Sequence, residues 1–77
     1  MKIPASTKKI ATQVINAIIQ GAHTTDMIIR NQSLERHGFE VAEAIAYLQT
    51  KGIIEYHNRN MASEYGYFIT EEGWSHI

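Results

Sequence analysis

The chain has no cysteine, which excludes disulfides, thiolate metal sites and cysteine nucleophiles together. It has a single proline, and its five glycines are isolated from one another, so no glycine-rich phosphate loop occurs. Long hydrophobic runs are missing as well. Ile18-Ile19 and Ile53-Ile54 fall far short of the roughly 20 apolar residues that cross a bilayer. The amino end, Met1-Lys2-Ile3-Pro4-Ala5-Ser6, leads into Lys8, Lys9, Thr12 and Gln13 without an apolar leader core, so a soluble cytoplasmic protein is expected. No charge excess exists either: seven Lys and Arg stand against eight Asp and Glu. Any attraction to a polyanion must therefore be local.

What is present is ordinary globular composition, 44% hydrophobic and 19% charged over 77 residues. Without a repeat, linker or low-complexity segment, residues 1–77 read as one domain. A chain of this length buries only about 60% of its unfolded surface, which leaves a small core and favours association with a partner.

Three helices come first. Ser6 and Thr7 suit an N-cap, and Ile10, Val14, Ala17 and Ile18 recur at helical spacing up to a stop at Gln20-Gly21. Ala11, Ile15 and Ile19 widen this apolar arc beyond what one packing contact needs. That predicts a homodimer with Ala11, Ile15 and Ile19 in its interface, the alternative being that the amino-terminal segment, the wing or the terminal Trp74 and Ile77 cover them. Thr24 or Thr25 caps a short second helix, with Asp26 at its positive end and Met27, Ile28 and Leu34 on its apolar side. His37-Gly38 breaks the pattern. From Val41 onward, Val41, Ala44, Ile45 and Leu48 mark a third helix, which ends at Lys51-Gly52.

After Gly52 the period changes. Ile53-Ile54-Glu55-Tyr56-His57 and Tyr65-Gly66-Tyr67-Phe68-Ile69 are β-branched and aromatic, and read as two strands. The polar stretch between them, Asn58 to Glu64, is too long for a two-residue turn and predicts a hairpin with a projecting loop. Thr70 caps a last helical turn through Glu71 and Glu72, ended by Gly73.

The predicted class is mainly α with a small β-hairpin. The pattern Val41, Ala44, Ile45 and Leu48, then Gly52-Ile53-Ile54, resembles the winged helix-turn-helix domain of bacterial and phage transcription regulators. The run Tyr67-Phe68-Ile69-Thr70-Glu71-Glu72-Gly73 is similar to the tyrosine-x-leucine-threonine-x-x-glycine ending of many such wings. The resemblance covers Ser6 to Gly73 and implies three helices plus a two-stranded wing.

It also implies a sequence-specific ligand, double-stranded DNA, with the third helix in the major groove and the wing on the backbone. On the side of that helix opposite its core line stand Ala42, Glu43, Ala46, Tyr47 and Thr50, with Glu40 ahead of them. Alanine touches thymine methyls, and glutamate accepts from cytosine N4. Arg36 and Lys51 are candidate phosphate contacts, as are His57, Asn58, Arg59 and Asn60 at the hairpin tip and Thr25 at the start of the second helix. The third helix lacks arginine, the commonest specific base contact. The alternative is therefore a winged helix that binds protein, or a phage adaptor module without DNA binding. The four histidines, His23, His37, His57 and His76, share no ligand spacing, and no nucleophile elbow occurs. The expectation is no metal, no cofactor and no enzymatic activity.

Overall fold

In the computed structural model, residues 5–58 and 65–76 are described. They form helices α1 (Ala5–Ile19), α2 (Thr25–Asn31) and α3 (Gly38–Thr50), strands β1 (Ile54–Asn58) and β2 (Tyr65–Ile69), and a short α4 (Glu71–His76), with a 3₁₀ turn at Glu35–His37 ahead of α3. This is a small, mainly helical fold with one antiparallel hairpin. Among the described residues no helix is long and apolar enough to cross a membrane.

The first three helices end in the same way. After α1, the Ala22 amide donates to Ala17 O at 2.9 Å and the Gly21 amide to Ile18 O at 3.0 Å, with Gly21 at φ 101°. After α3, Ile53 and Gly52 donate to Leu48 and Gln49 at 2.9 and 3.0 Å, with Gly52 at φ 74°. Both are paired closures through a left-handed residue, which satisfy carbonyls that a helix end leaves open. After α2 the same pair runs from Leu34 to Ile29 and from Ser33 to Arg30, and here the left-handed residue is Ser33, at φ 54°. Each closure aims the following chain inward. Ala22 and Leu34 are buried, and Ile53 packs against the core.

The core joins Ile10, Val14, Ala17 and Ile18 of α1 to Ile28, Leu34, Ile54 and the Val41, Ala44, Ile45 and Leu48 line of α3. In the hairpin, Ile54 pairs with Ile69 and Tyr56 with Tyr67, while Glu55 pairs with Phe68 and His57 with Gly66. Cross-strand partners share a face and successive residues alternate. Ile54, Tyr56, Tyr67 and Ile69 therefore face the core side, and Glu55, His57 and Phe68 the other.

Two contacts fix the hairpin to the helices. The Tyr67 amide donates to His23 O at 2.7 Å. In return the His23 ring donates from Nδ1 to Tyr67 O at 2.9 Å and stacks on Phe68, with ring centroids 4.3 Å apart. Gly66 permits this approach, since a Cβ there would overlap His23 O. At the other end the Thr70 amide donates to Ile53 O at 2.9 Å, and the Thr70 hydroxyl accepts from the Gly73 amide at 2.8 Å, capping α4.

Several expectations need correction. Thr7 is inside α1 and only 1% exposed, because its hydroxyl bonds to α3 instead of capping its own helix. Gly38 is the first residue of α3, with helical φ −54° and ψ −39°; the 3₁₀ turn feeds directly into the helix. β1 begins at Ile54, since the Ile53 amide is spent on closing α3. Gly73 lies inside α4, where a Cβ would overlap Ile53 O; it is a close-packing residue and not a stop. Ala11 is 6% exposed and belongs to the core, so it cannot meet a second copy. Ile15 also packs on the core, half-buried, and of the three proposed interface residues Ile19 stands out at 45% exposure.

Candidate functional site

Val41, Ala44, Ile45 and Leu48 turn into the core. The exposed side chains of α3 are Phe39, Ala42, Ala46, Gln49 and Thr50, and at about 100° per residue they share one arc of the helix surface, with half-buried Glu43 just past its Thr50 edge. None of the five carries a charge. Phe39, at 77%, is the most exposed of the described large apolar side chains. The Thr50 hydroxyl turns back to donate to Ala46 O at 2.9 Å.

The charged neighbours are engaged along the edges of this stripe. Glu43, half-buried, accepts from the Thr7 hydroxyl at 2.8 Å, which draws its carboxylate toward α1. Glu40 lies 3.7 Å from His37 Nδ1, an ion pair when that ring is protonated. Tyr47 is half-buried against the core, and Lys51 Nζ sits 5.8 Å from its ring centroid. Arg36 in the 3₁₀ turn and Lys51 at the C-cap are exposed, so a cation stands before α3 and another after it.

The five-residue stripe differs from the face expected from the sequence. Ala42, Ala46 and Thr50 are on it, whereas Glu43 and Tyr47 are rotated to its edge. Phe39 and Gln49 were missed. The expected start of α3 at Val41 hid Phe39, which joins the helix only because Gly38 opens it. Gln49 was legible, being three residues beyond Ala46 and seven beyond Ala42.

Beside the carboxyl half of α3 lies a groove of about 450 Å³, lined by Thr24, Thr25, Gln49, Tyr56 and Tyr67. It joins the start of α2 and the core-side face of the hairpin to the α3 stripe through Gln49. Thr24 caps α2 by accepting from the Met27 amide at 3.2 Å, leaving Thr25 in the first turn, at the groove. Tyr56 and Tyr67 meet edge to face, with centroids 5.0 Å apart.

His57 lies on the opposite hairpin face from this groove, bonded to Glu55 Oε1 at 2.7 Å and tilted against Phe68 at 4.8 Å. Its backbone neighbour Asn58 ends β1, opposite Tyr65. Arg59 and Asn60 lie outside the described residues. The structure thus brings Thr25 and Gln49 to one groove, while Ala46 and Thr50 stand on the exposed stripe of α3. Arg36 and Lys51 stand at the two ends of α3, and His57 faces elsewhere. No family model, no curated protein and no solved structure matches the chain significantly.

Proposed function

We propose that this chain is a small winged helix-turn-helix domain that binds double-stranded DNA sequence-specifically, as a transcriptional regulator of bacterial or phage type acting in the cytoplasm. α3 enters the major groove, the hairpin serves as the wing, and the domain works by binding, with no covalent chemistry. The observation that carries this reading is the exposed, uncharged stripe Phe39, Ala42, Ala46, Gln49 and Thr50 with Arg36 and Lys51 at its two ends. An approaching duplex meets cations where phosphates run, and small or flat groups where base edges lie. The bond to Thr7 also draws the half-exposed Glu43 carboxylate toward α1, aside from the face that would oppose the phosphates.

Pairing of two copies completes the proposal, since two-fold partners reading half-sites one helical turn apart strengthen what a single helix binds. A second reading, a protein-binding module, is favoured by one feature, the exposure of Phe39. A salt titration separates the two. Binding to mixed-sequence duplex should weaken with salt at a log–log slope of about −0.9 per phosphate contacted, and Arg36→Ala or Lys51→Ala should each reduce the slope by about one. A flat or absent curve would favour the protein-binding module.

A further inference from the structure

We infer that the α3 stripe reads the 5-methyl groups of thymine, so that the preferred ligand is A·T-containing duplex recognised from the major groove. This rests on the DNA-binding reading above and specifies what its site prefers.

Each base pair displays its own set of groups in the major groove. Guanine is read mainly by arginine or lysine on N7 and O6, and the exposed arc of α3 has neither; its nearest cations, Arg36 and Lys51, stand before and after the helix. Cytosine offers an N4 amino group to a carboxylate. Glu43, the acid nearest the middle of α3, is turned aside and holds the Thr7 hydroxyl at 2.8 Å.

What remains on the arc matches the A·T pair. Ala42 and Ala46 end at Cβ, which lets the helix approach closely and puts a methyl against a methyl. Thr50 commits its hydroxyl hydrogen to Ala46 O, so it offers a methyl and no donor to a base edge. Phe39 presents a flat apolar surface at the leading end of the helix. Gln49 follows on the same arc, and its amide is the side-chain type that pairs with adenine N6 and N7. The stripe thus joins four apolar contacts to one adenine-reading amide, and the flanking cations complement the phosphates on either side of such a step.

The test uses the full chain and four short duplex probes at one fixed salt concentration. The first is alternating dA·dT, the second the same duplex with deoxyuridine in place of thymidine. The third is alternating dG·dC, and the fourth the same with 5-methylcytosine. Uracil removes only the methyl groups and leaves the pairing, the phosphates and the minor groove as they were. Each methyl returned to water loses about four-fold in affinity, so two or more contacts should make the thymine duplex bind about ten-fold or more tighter than the uracil duplex.

Methylating cytosine, which places a methyl at the same ring position, should raise affinity for the dG·dC duplex. Phe39→Ala, at an exposed position that the fold does not need, should reduce the thymine-to-uracil ratio while circular dichroism stays unchanged. Equal affinity for the thymine and uracil duplexes would overturn this inference but leave the DNA-binding reading standing. Absence of binding to all four duplexes would overturn both and point to the protein-binding module.

Discussion

The Thr7 hydroxyl donates to Glu43 Oε1 at 2.8 Å, joining the first turn of α1 to the middle of α3 across 36 residues of sequence. The donor is buried and the acceptor half-exposed, so one bond does two things. It satisfies a hydroxyl that would otherwise be stranded in the core, and it sets the side of α3 on which a negative charge stands.

Thr7→Val keeps the shape and removes the donor. A hydrogen bond to a charged group contributes about 1.5–3 kcal/mol, and water can reach the half-exposed carboxylate in the variant, so a loss of about 1 kcal/mol is expected. Glu43→Gln keeps an acceptor oxygen and should cost less. Urea unfolding of both variants at neutral pH measures this. Unchanged stability in Thr7→Val would mean that the bond contributes nothing net.

Gly66→Ala and Gly73→Ala test the two places where backbones approach most closely. An added Cβ overlaps His23 O at Gly66 and Ile53 O at Gly73, and Gly66 also holds φ 110°. Overpacking alone costs about 1–3 kcal/mol, and the left-handed backbone adds about 1–2 at Gly66. Gly66→Ala should therefore be the worse of the two, and should free the hairpin from His23. Amide hydrogen exchange at Tyr67 reports that release, because this amide donates to His23 O. Protection at Tyr67 that survives Gly66→Ala would show that the His23 contact does not hold the hairpin.

Ser33→Gly should stabilise the protein. Ser33 holds φ 54° in the closure of α2, and glycine relieves a strain of about 1–2 kcal/mol at the cost of about 0.5–1 in unfolded-state freedom. A net gain of about 0.5 kcal/mol, read as a higher urea midpoint with an unchanged slope, is the expected outcome. Destabilisation would mean that the serine side chain makes up for its backbone.

The three helix closures show why some elements were legible in the sequence and others were not. Gly21 and Gly52 announce their left-handed positions, and the ends of α1 and α3 were read correctly from them. Ser33 gives no such signal. The pattern alone therefore leaves the end of α2 open and assigns Leu34 to the helix, whereas Leu34 is the residue turned inward just past it. The α3 core line follows a strict helical period and was read in full, as was β2. What could not be read from local pattern depends on contacts distant in sequence. Thr7 looks like a cap until Glu43 is beside it, and Gly73 looks like a stop until Ile53 is. At the candidate site, the period gave the outward alanines, but the expected helix start left out Phe39. Glu43 and Tyr47 fall on the outer half of the helix by period alone, and it is their contacts with Thr7 and the core that hold them at its edge.

The proposed homodimer now rests on a smaller apolar surface than the sequence suggested, and this decides how to test it. Ala11 is in the core and Ile15 is half-buried against it, which leaves Ile19, at the carboxyl end of α1, as the exposed member of the arc. Ile19→Glu should then leave the fold intact while shifting sedimentation at micromolar concentration from dimer toward monomer. Ala11→Glu should instead unfold the protein, because a carboxylate enters a packed core without a partner, at a cost of several kcal/mol. The two variants separate loss of association from loss of folding, which a single substitution does not. A wild-type monomer at micromolar concentration removes the obligate dimer. A dimer indifferent to Ile19→Glu places the interface on another surface, and the exposed Trp74 of α4 is then the side chain to replace next.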